Sequence, residues 1–188
     1  MARLADDAGI PLLIDVRRAG VTIDSGKDRW EADPEAYGAL AGAVQQAAHA
    51  LGLTADPAPL RFVQAVIDAV DVPAVRRFWC AVLGYRPDPR EHVTDIVDPR
   101  DLSPILVFQP MAADEADRRA QRNRIHLDLF VPDDQARARL DAALAAGGRI
   151  VYDDEAPEWW TVADPEGNEV DIAVSAGREE LQRASRST

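Results

Sequence analysis

Between Arg124 and Val131 the chain alternates two kinds of side chain. Arg124, His126, Asp128 and Phe130 hold the even positions, and Ile125, Leu127, Leu129 and Val131 the odd ones. A period of two is that of a β-strand with unlike faces. One face is aliphatic and suited to packing on a helix. The other sets a guanidinium, an imidazole, a carboxylate and an aromatic ring in a row, side-chain types that bind, orient and move protons on a small polar molecule. His126 in mid-strand suits a ligand, a general base or a donor to substrate. Its plain structural alternative is a half-buried histidine bonded to Asp128 or Arg124. We read the row as the floor of a small-molecule cavity, enclosed where the sheet curls.

Other residues bear on the same cavity. Trp159-Trp160 offers an aromatic wall for a planar ligand. Neighbours on a strand point opposite ways, so one of the two indoles belongs to the core, and which one faces the cavity is open. Arg122 and Arg124 suit an anionic substrate or pairing with the many carboxylates. His92 reads as a loop residue, and Asp153-Asp154-Glu155 as a solvated turn. Cys80 is the single cysteine, so neither a disulfide framework nor a thiolate metal cage forms within one chain. No Ser-His-Asp order, phosphate-binding glycine loop or dinucleotide fingerprint occurs.

A formal net charge of −12 over 188 residues argues against nucleic acid and anionic membranes as partners, because the surface repels phosphate. No hydrophobic run reaches the roughly 18 residues of a membrane span, and no signal peptide opens the chain. A cytoplasmic protein with a real hydrophobic core is expected.

The elements that must position these residues follow from patterning. Residues 1–8 read as a frayed terminus. Strand-like alternation runs from Ile10 to Ile23, with a turn at Ala19-Gly20. Asp33-Pro34-Glu35 opens a helix striped by Tyr37, Leu40, Val44 and Leu51 and stopped at Gly52. This segment, residues 1–55, is too short to bury much surface alone, and should dock on the rest of the chain or on a second copy. Ala55-Asp56-Pro57-Ala58-Pro59 is the linker. A strand over Arg61–Ile67 leads to a helix from Asp71-Val72-Pro73, with Val75, Phe78, Trp79 and Val82 inward and Gly84 as its stop. Extended pieces follow near Val93–Val97 and Pro104–Gln109, then a charged connector, Met111–Arg122. The strand Asn123–Val131 leads to a second helix, Asp133–Ala146, with Ala136, Leu140, Ala143 and Leu144 inward. Further strands lie at Arg149–Tyr152, Glu158–Ala163 and Glu169–Val174, the last two joined by a tight turn, Asp164-Pro165-Glu166-Gly167-Asn168. The tail, residues 176–188, is charged and expected to be mobile. Strand, helix and further strands thus occur twice in one order.

Residues 60–175 resemble the vicinal oxygen chelate superfamily, the glyoxalase-like and bleomycin-resistance-like proteins. The resemblance rests on Phe78-Trp79-Cys80-Ala81-Val82-Leu83-Gly84-Tyr85, on Arg124-Ile125-His126-Leu127-Asp128, and on Asp164-Pro165-Glu166-Gly167-Asn168-Glu169-Val170-Asp171. It implies an α+β fold of two βαβββ modules forming a curved mixed sheet or half-barrel. It also implies four ligand positions on four strands, which fall here on Gln64, Gln109, His126 and Asp171. Two amides and a shortened carboxylate depart from the family's His/Glu mixture and suit a harder ion such as Mg²⁺ or Mn²⁺ better than Zn²⁺, with Ni²⁺ also among the divalent ions considered. The alternative is that these residues line a metal-free pocket.

The first segment resembles the C-terminal half of pterin-4a-carbinolamine dehydratases, on Asp15-Val16-Arg17, Val21-Thr22-Ile23 and the Ala-rich helix that follows. The paired histidines of that chemistry are absent, since Gly9 and Ile10 precede Pro11 and His49 lies on the helix. Dehydratase activity is therefore not expected, and the segment reads as a structural or homodimer-forming remnant.

The reading that results is an isomerase- or lyase-type enzyme acting on an oxygen-rich small molecule, assisted by one divalent ion if one is bound. His126 and Asp171 are its catalytic candidates. Gln64, Phe108, Gln109, Arg124, Asp128, Phe130 and Trp160 are its substrate-contact candidates. The competing reading is a non-catalytic drug- or metabolite-binding protein.

Overall fold

The computed structural model describes residues 2–26, 29–56, 64–114 and 126–174. The chain divides into two compact units, Met1–Phe62 and Val63–Thr188.

In the first unit, helix α1 (Ala2–Ala8) precedes an antiparallel hairpin of β1 (Leu13–Arg17) and β2 (Gly20–Asp24), a 3₁₀ turn (Arg29–Ala32) and helix α2 (Pro34–Ala50). The stretch read as a frayed terminus is thus helical. Gly9 ends α1 in the left-handed region at φ 64°, and the Ile10 amide closes on the Ala5 carbonyl. Gly20 pairs with Arg17, so the hairpin turns on Arg18-Ala19, one residue earlier than the sequence suggested. Asp33 caps α2 by accepting from the Ala36 amide at 3.0 Å, with Pro34 in the first turn. Leu40 is the buried residue of α2, and the rest of the expected stripe is half-buried or, at Leu51, exposed.

The second unit repeats one pattern. Strand β3 (Gln64–Ala69), helix α3 (Val72–Leu83) and strands β4 (Arg86–Pro87), β5 (Ile96–Val97) and β6 (Ile105–Pro110) form the first module. Strand β7 (Leu127–Val131), helix α4 (Asp133–Ala145) and strands β8 (Arg149–Tyr152), β9 (Trp159–Ala163) and β10 (Glu169–Val174) form the second. The sheet orders are β3-β6-β5-β4 and β7-β10-β9-β8. In each, the first strand runs parallel to the last and the other pairs are antiparallel. The fold is the expected α+β doubling, built as two separately hydrogen-bonded four-stranded sheets.

One core serves both modules. Val75, Phe78, Trp79 and Val82 of α3 meet Ala136, Leu140 and Ala143 of α4 above Leu106 and Phe108 of the first sheet and Val162, Val170 and Ile172 of the second. Asp71 caps α3 through the Ala74 amide at 3.0 Å, and Gly84 ends it at φ 70°. Phe78 packs edge-on to Trp79, their ring centres 5.6 Å apart. Gly148 lies so close to the Phe78 ring that a methyl there would collide with it.

The turn between β9 and β10 has a structural role. Asp164, fully buried, accepts at one carboxylate oxygen from the amides of Glu166, Gly167 and Asn168 at 2.8–2.9 Å. Its other oxygen accepts from the Asn168 side chain at 2.8 Å and from the Trp79 indole at 3.0 Å. Glu166 reaches into the first module, accepting from the Val70 amide at 3.0 Å and the Asp71 amide at 2.6 Å. The turn thus fastens the second module to the start and the middle of α3.

Candidate functional site

Strand parity decides which side chains share a face of the second sheet. Val162, Val170 and Ile172 enter the core, so their neighbours in sequence point the other way. Register then lines up a row across all four strands. Asp128 on β7 lies beside Asp171 on β10, Asp171 beside Thr161 on β9, and Thr161 beside Tyr152 on β8. The next row along holds Phe130, Ala173 and Trp159. His126, at the entry to β7, completes the polar end.

His126, Asp128 and Asp171 form a cluster whose ligand atoms all lie within 4.8 Å of one another. His126 Nε2 is 3.2 Å from Asp128 Oδ1 and 3.7 Å from Asp171 Oδ2. Their side chains are 54%, 50% and 23% exposed respectively, so the cluster opens to solvent on the His126 side and is shielded at Asp171. Burial raises the Asp171 carboxyl above its ordinary range. A hydrogen bond from Thr161 and the His126 imidazole act downward, and the Asp128 and Glu169 carboxylates upward.

These separations suit a divalent ion. Donors bonded to one ion at about 2.1 Å stand roughly 3–4 Å from each other, which is the spacing His126 already keeps with both carboxylates. Crowded like charges beside a half-buried acid are also what a cation would relieve.

The two glutamines stand elsewhere. Both lie on the first sheet, where Ala65, Ile67, Leu106 and Phe108 take the core side and leave Gln64 and Gln109 on the opposite face. Gln64 is opposite Ile105, whereas Gln109 is opposite Asp68, four residues further along. At about 3.3 Å per residue their Cα atoms are roughly 13–14 Å apart. His126 and Asp171 come together, and Asp128, read from the sequence as a substrate contact, joins them.

Phe108 is 1% exposed and Trp160 8% exposed, both inside the shared core. Phe108 packs with Ile67 and Leu106, and Trp160 pairs with Ile172, so the alternation that makes β6 and β9 strands turns both rings away from the polar face. That corrects their reading as ligand contacts. Phe130 does share the face of Asp128 and is 42% exposed. Arg124 lies outside the described residues. The indole on the polar face is Trp159, stacked on Tyr152 with ring centres 6.4 Å apart and planes at 26°. Trp159, Tyr152 and Thr161 were missed as site residues. The parity of Val162 and Ile172 against a helix was the signal that could have found them.

The glyoxalase-like domain family matches residues 64–173, more than half of the chain and both modules of the second unit. Comparison with curated proteins gives no match. Among solved structures, the chain is similar to a glyoxalase-related enzyme from Fulvimarina pelagi, with 23% identity, a TM-score of 0.44, and coverage of 62% of this chain and 90% of that one. It is similar to the fosfomycin resistance protein FosX from Mesorhizobium loti, with 10% identity, a TM-score of 0.49, and coverage of 64% and 97%. It is also similar to glyoxalase I from Leishmania major, with 16% identity, a TM-score of 0.44, and coverage of 68% and 94%. With its family match spanning the repeated strand–helix–strand modules and the face that carries the cluster, the chain belongs to the glyoxalase-like domain family of the vicinal oxygen chelate superfamily.

Proposed function

We propose that the second unit is an enzyme acting on a small molecule with two adjacent oxygens, in an isomerase- or lyase-type step, and that His126, Asp128 and Asp171 hold a divalent ion for it. The observation that carries this is the meeting of an imidazole and two carboxylates within 4.8 Å on one open sheet face. Three ligands leave coordination positions for substrate, and an ion held there supplies Lewis-acid polarisation of a carbonyl or hydroxyl oxygen. One imidazole and two carboxylates suit Mn²⁺ or Zn²⁺, with Mg²⁺ and Ni²⁺ as weaker fits. Ligands drawn from the second module leave Gln64 and Gln109 as wall residues of the first sheet.

The chain's own residues supply the rest. Asp171 is the most shielded of the three ligands, and without an ion burial raises its carboxyl above the ordinary range. Thr161 donates to that carboxyl and fixes its orientation. Asp128 holds the imidazole of His126 from the neighbouring position on the same face.

Isothermal titration with Mn²⁺, Zn²⁺, Ni²⁺ and Mg²⁺ tests the reading. One site per chain is expected, lost in His126→Ala and Asp128→Ala. Indifference to all four ions, with stabilisation by an aromatic metabolite, would favour the non-catalytic binder, the reading that the Tyr152–Trp159 stack supports.

For the first unit we propose a degenerate relative of the pterin-4a-carbinolamine dehydratases without that activity. The order β1, β2, α2 and the residues Asp15-Val16-Arg17 support the likeness, and the missing histidine pair supports the loss.

A further inference from the structure

We propose that the Tyr152–Trp159 stack is a recognition wall for an aromatic ring on the substrate, so that this protein acts on aryl-substituted rather than small aliphatic compounds. The inference rests on the reading of the His126–Asp128–Asp171 cluster given above and names the substrate class for it.

Placement is the first argument. Tyr152 occupies the same transverse row as Asp128, Asp171 and Thr161, and Trp159 occupies the next row beside Ala173. Asp171 and Trp159 are thus diagonal neighbours on adjacent strands, roughly 7–8 Å apart. A ring attached one or two bonds from a pair of chelating oxygens spans that distance.

The second argument is that the core does not need these rings. Trp160 already fills the helix side of β9, within the shared core. Trp159 is only half-buried and Tyr152 is 39% exposed, with Tyr152 in the row of Asp128, Asp171 and Thr161. Two flat rings aligned within 26° present one continuous apolar surface next to carboxylates and an imidazole. Among the described residues, register sets a threonine and an alanine, Thr161 and Ala173, between the cluster and this surface, and both are small. Such a pairing of polar cluster and flat apolar wall discriminates by the ring, since an aliphatic substrate would leave the wall uncovered.

The test compares two acids that offer the same chelating oxygens and differ in the ring: mandelate and lactate. Protein loaded with Mn²⁺ or Zn²⁺ is titrated with each, following tryptophan fluorescence and heat. Mandelate is expected to bind about tenfold tighter, the scale of a single added aromatic contact. In Trp159→Leu that advantage falls to about twofold or less while the ion affinity is retained. Tyr152→Leu, at a more exposed position, reads the same loss if Trp159→Leu does not fold. Equal affinity for the two acids in ion-loaded protein, or an advantage that survives both substitutions, overturns the ring wall and leaves the ion site standing. Uptake of neither ion overturns the cluster reading and this inference with it.

Discussion

The indole N–H of Trp79 donates to the buried carboxylate of Asp164 at 3.0 Å, joining the middle of α3 to the turn before β10 across 85 positions of sequence. Asp164 collects five hydrogen bonds, one from a buried donor and four from half-buried ones. Asp164→Ala should therefore cost about 2–4 kcal/mol in urea unfolding, since it removes five hydrogen bonds at once and strands the buried Trp79 indole N–H. Trp79→Phe keeps most of the packing and removes one donor, and about 1–2 kcal/mol is expected.

Glu166 offers a milder version of the same join. Its carboxylate accepts from the Val70 and Asp71 amides just before α3. Glu166→Ala is expected to lower stability by roughly 1–2 kcal/mol and to leave ion affinity unchanged, because neither amide belongs to the cluster. Urea unfolding and a metal titration on the same sample read both.

Asp171→Asn should separate stability from function. Burial raises the folded-state carboxyl above the ordinary 3.8, so ionising it costs the folded protein. The stability tied to the protonated form is fully present below that ordinary value and is lost as pH rises through the higher folded-state value. The asparagine variant escapes that loss. Its Tm at pH 7 is expected to exceed the wild type's by about 1–3 °C, with the gain vanishing near pH 3 and ion binding abolished. Scanning calorimetry across pH, beside an ion titration, checks all three.

Gln64→Ala and Gln109→Ala separate two ways of building the ion site. With the ligands drawn from β7 and β10, each variant should keep its ion affinity within about twofold of the wild type. A loss of more than tenfold, about 1.4 kcal/mol, in either would restore a donor from the first sheet.

Gly148→Ala tests the contact of a glycine with an aromatic ring. The added methyl meets the Phe78 ring, which is fully buried and has nowhere to retreat, and the Ala143 carbonyl oxygen at 2.9 Å. A loss of about 1–3 kcal/mol is expected, read by urea unfolding.

The two modules were legible because their signals are local. Asp71 and Pro73 announce α3, Gly84 ends it, and its four inward residues are spaced for one helical face. Period-two alternation likewise marked β7 and β10. The face of each ring was harder to read. Trp159 and Trp160 are adjacent, both fit a strand, and their assignment depends on which side the helix covers, a non-local fact. The placing of the glutamines was hidden for a related reason. Strand patterning shows that Gln64 and Gln109 share a face, but their offset of four residues is fixed by the pairing of β3 with β6. Helix α1 was not legible because a short Ala-rich, Asp-containing segment carries little periodicity, and its contact with α2 is non-local.

Strand β7 stands at the end of its sheet's order, with β10 as its partner there. Two of the three cluster residues ride on that border or at its entry, and the third on the strand inside it. An ion shared by them would rivet the border to its neighbour, so the tightness of chelation and the rate at which β7 amides trade hydrogen for deuterium become two readings of one quantity.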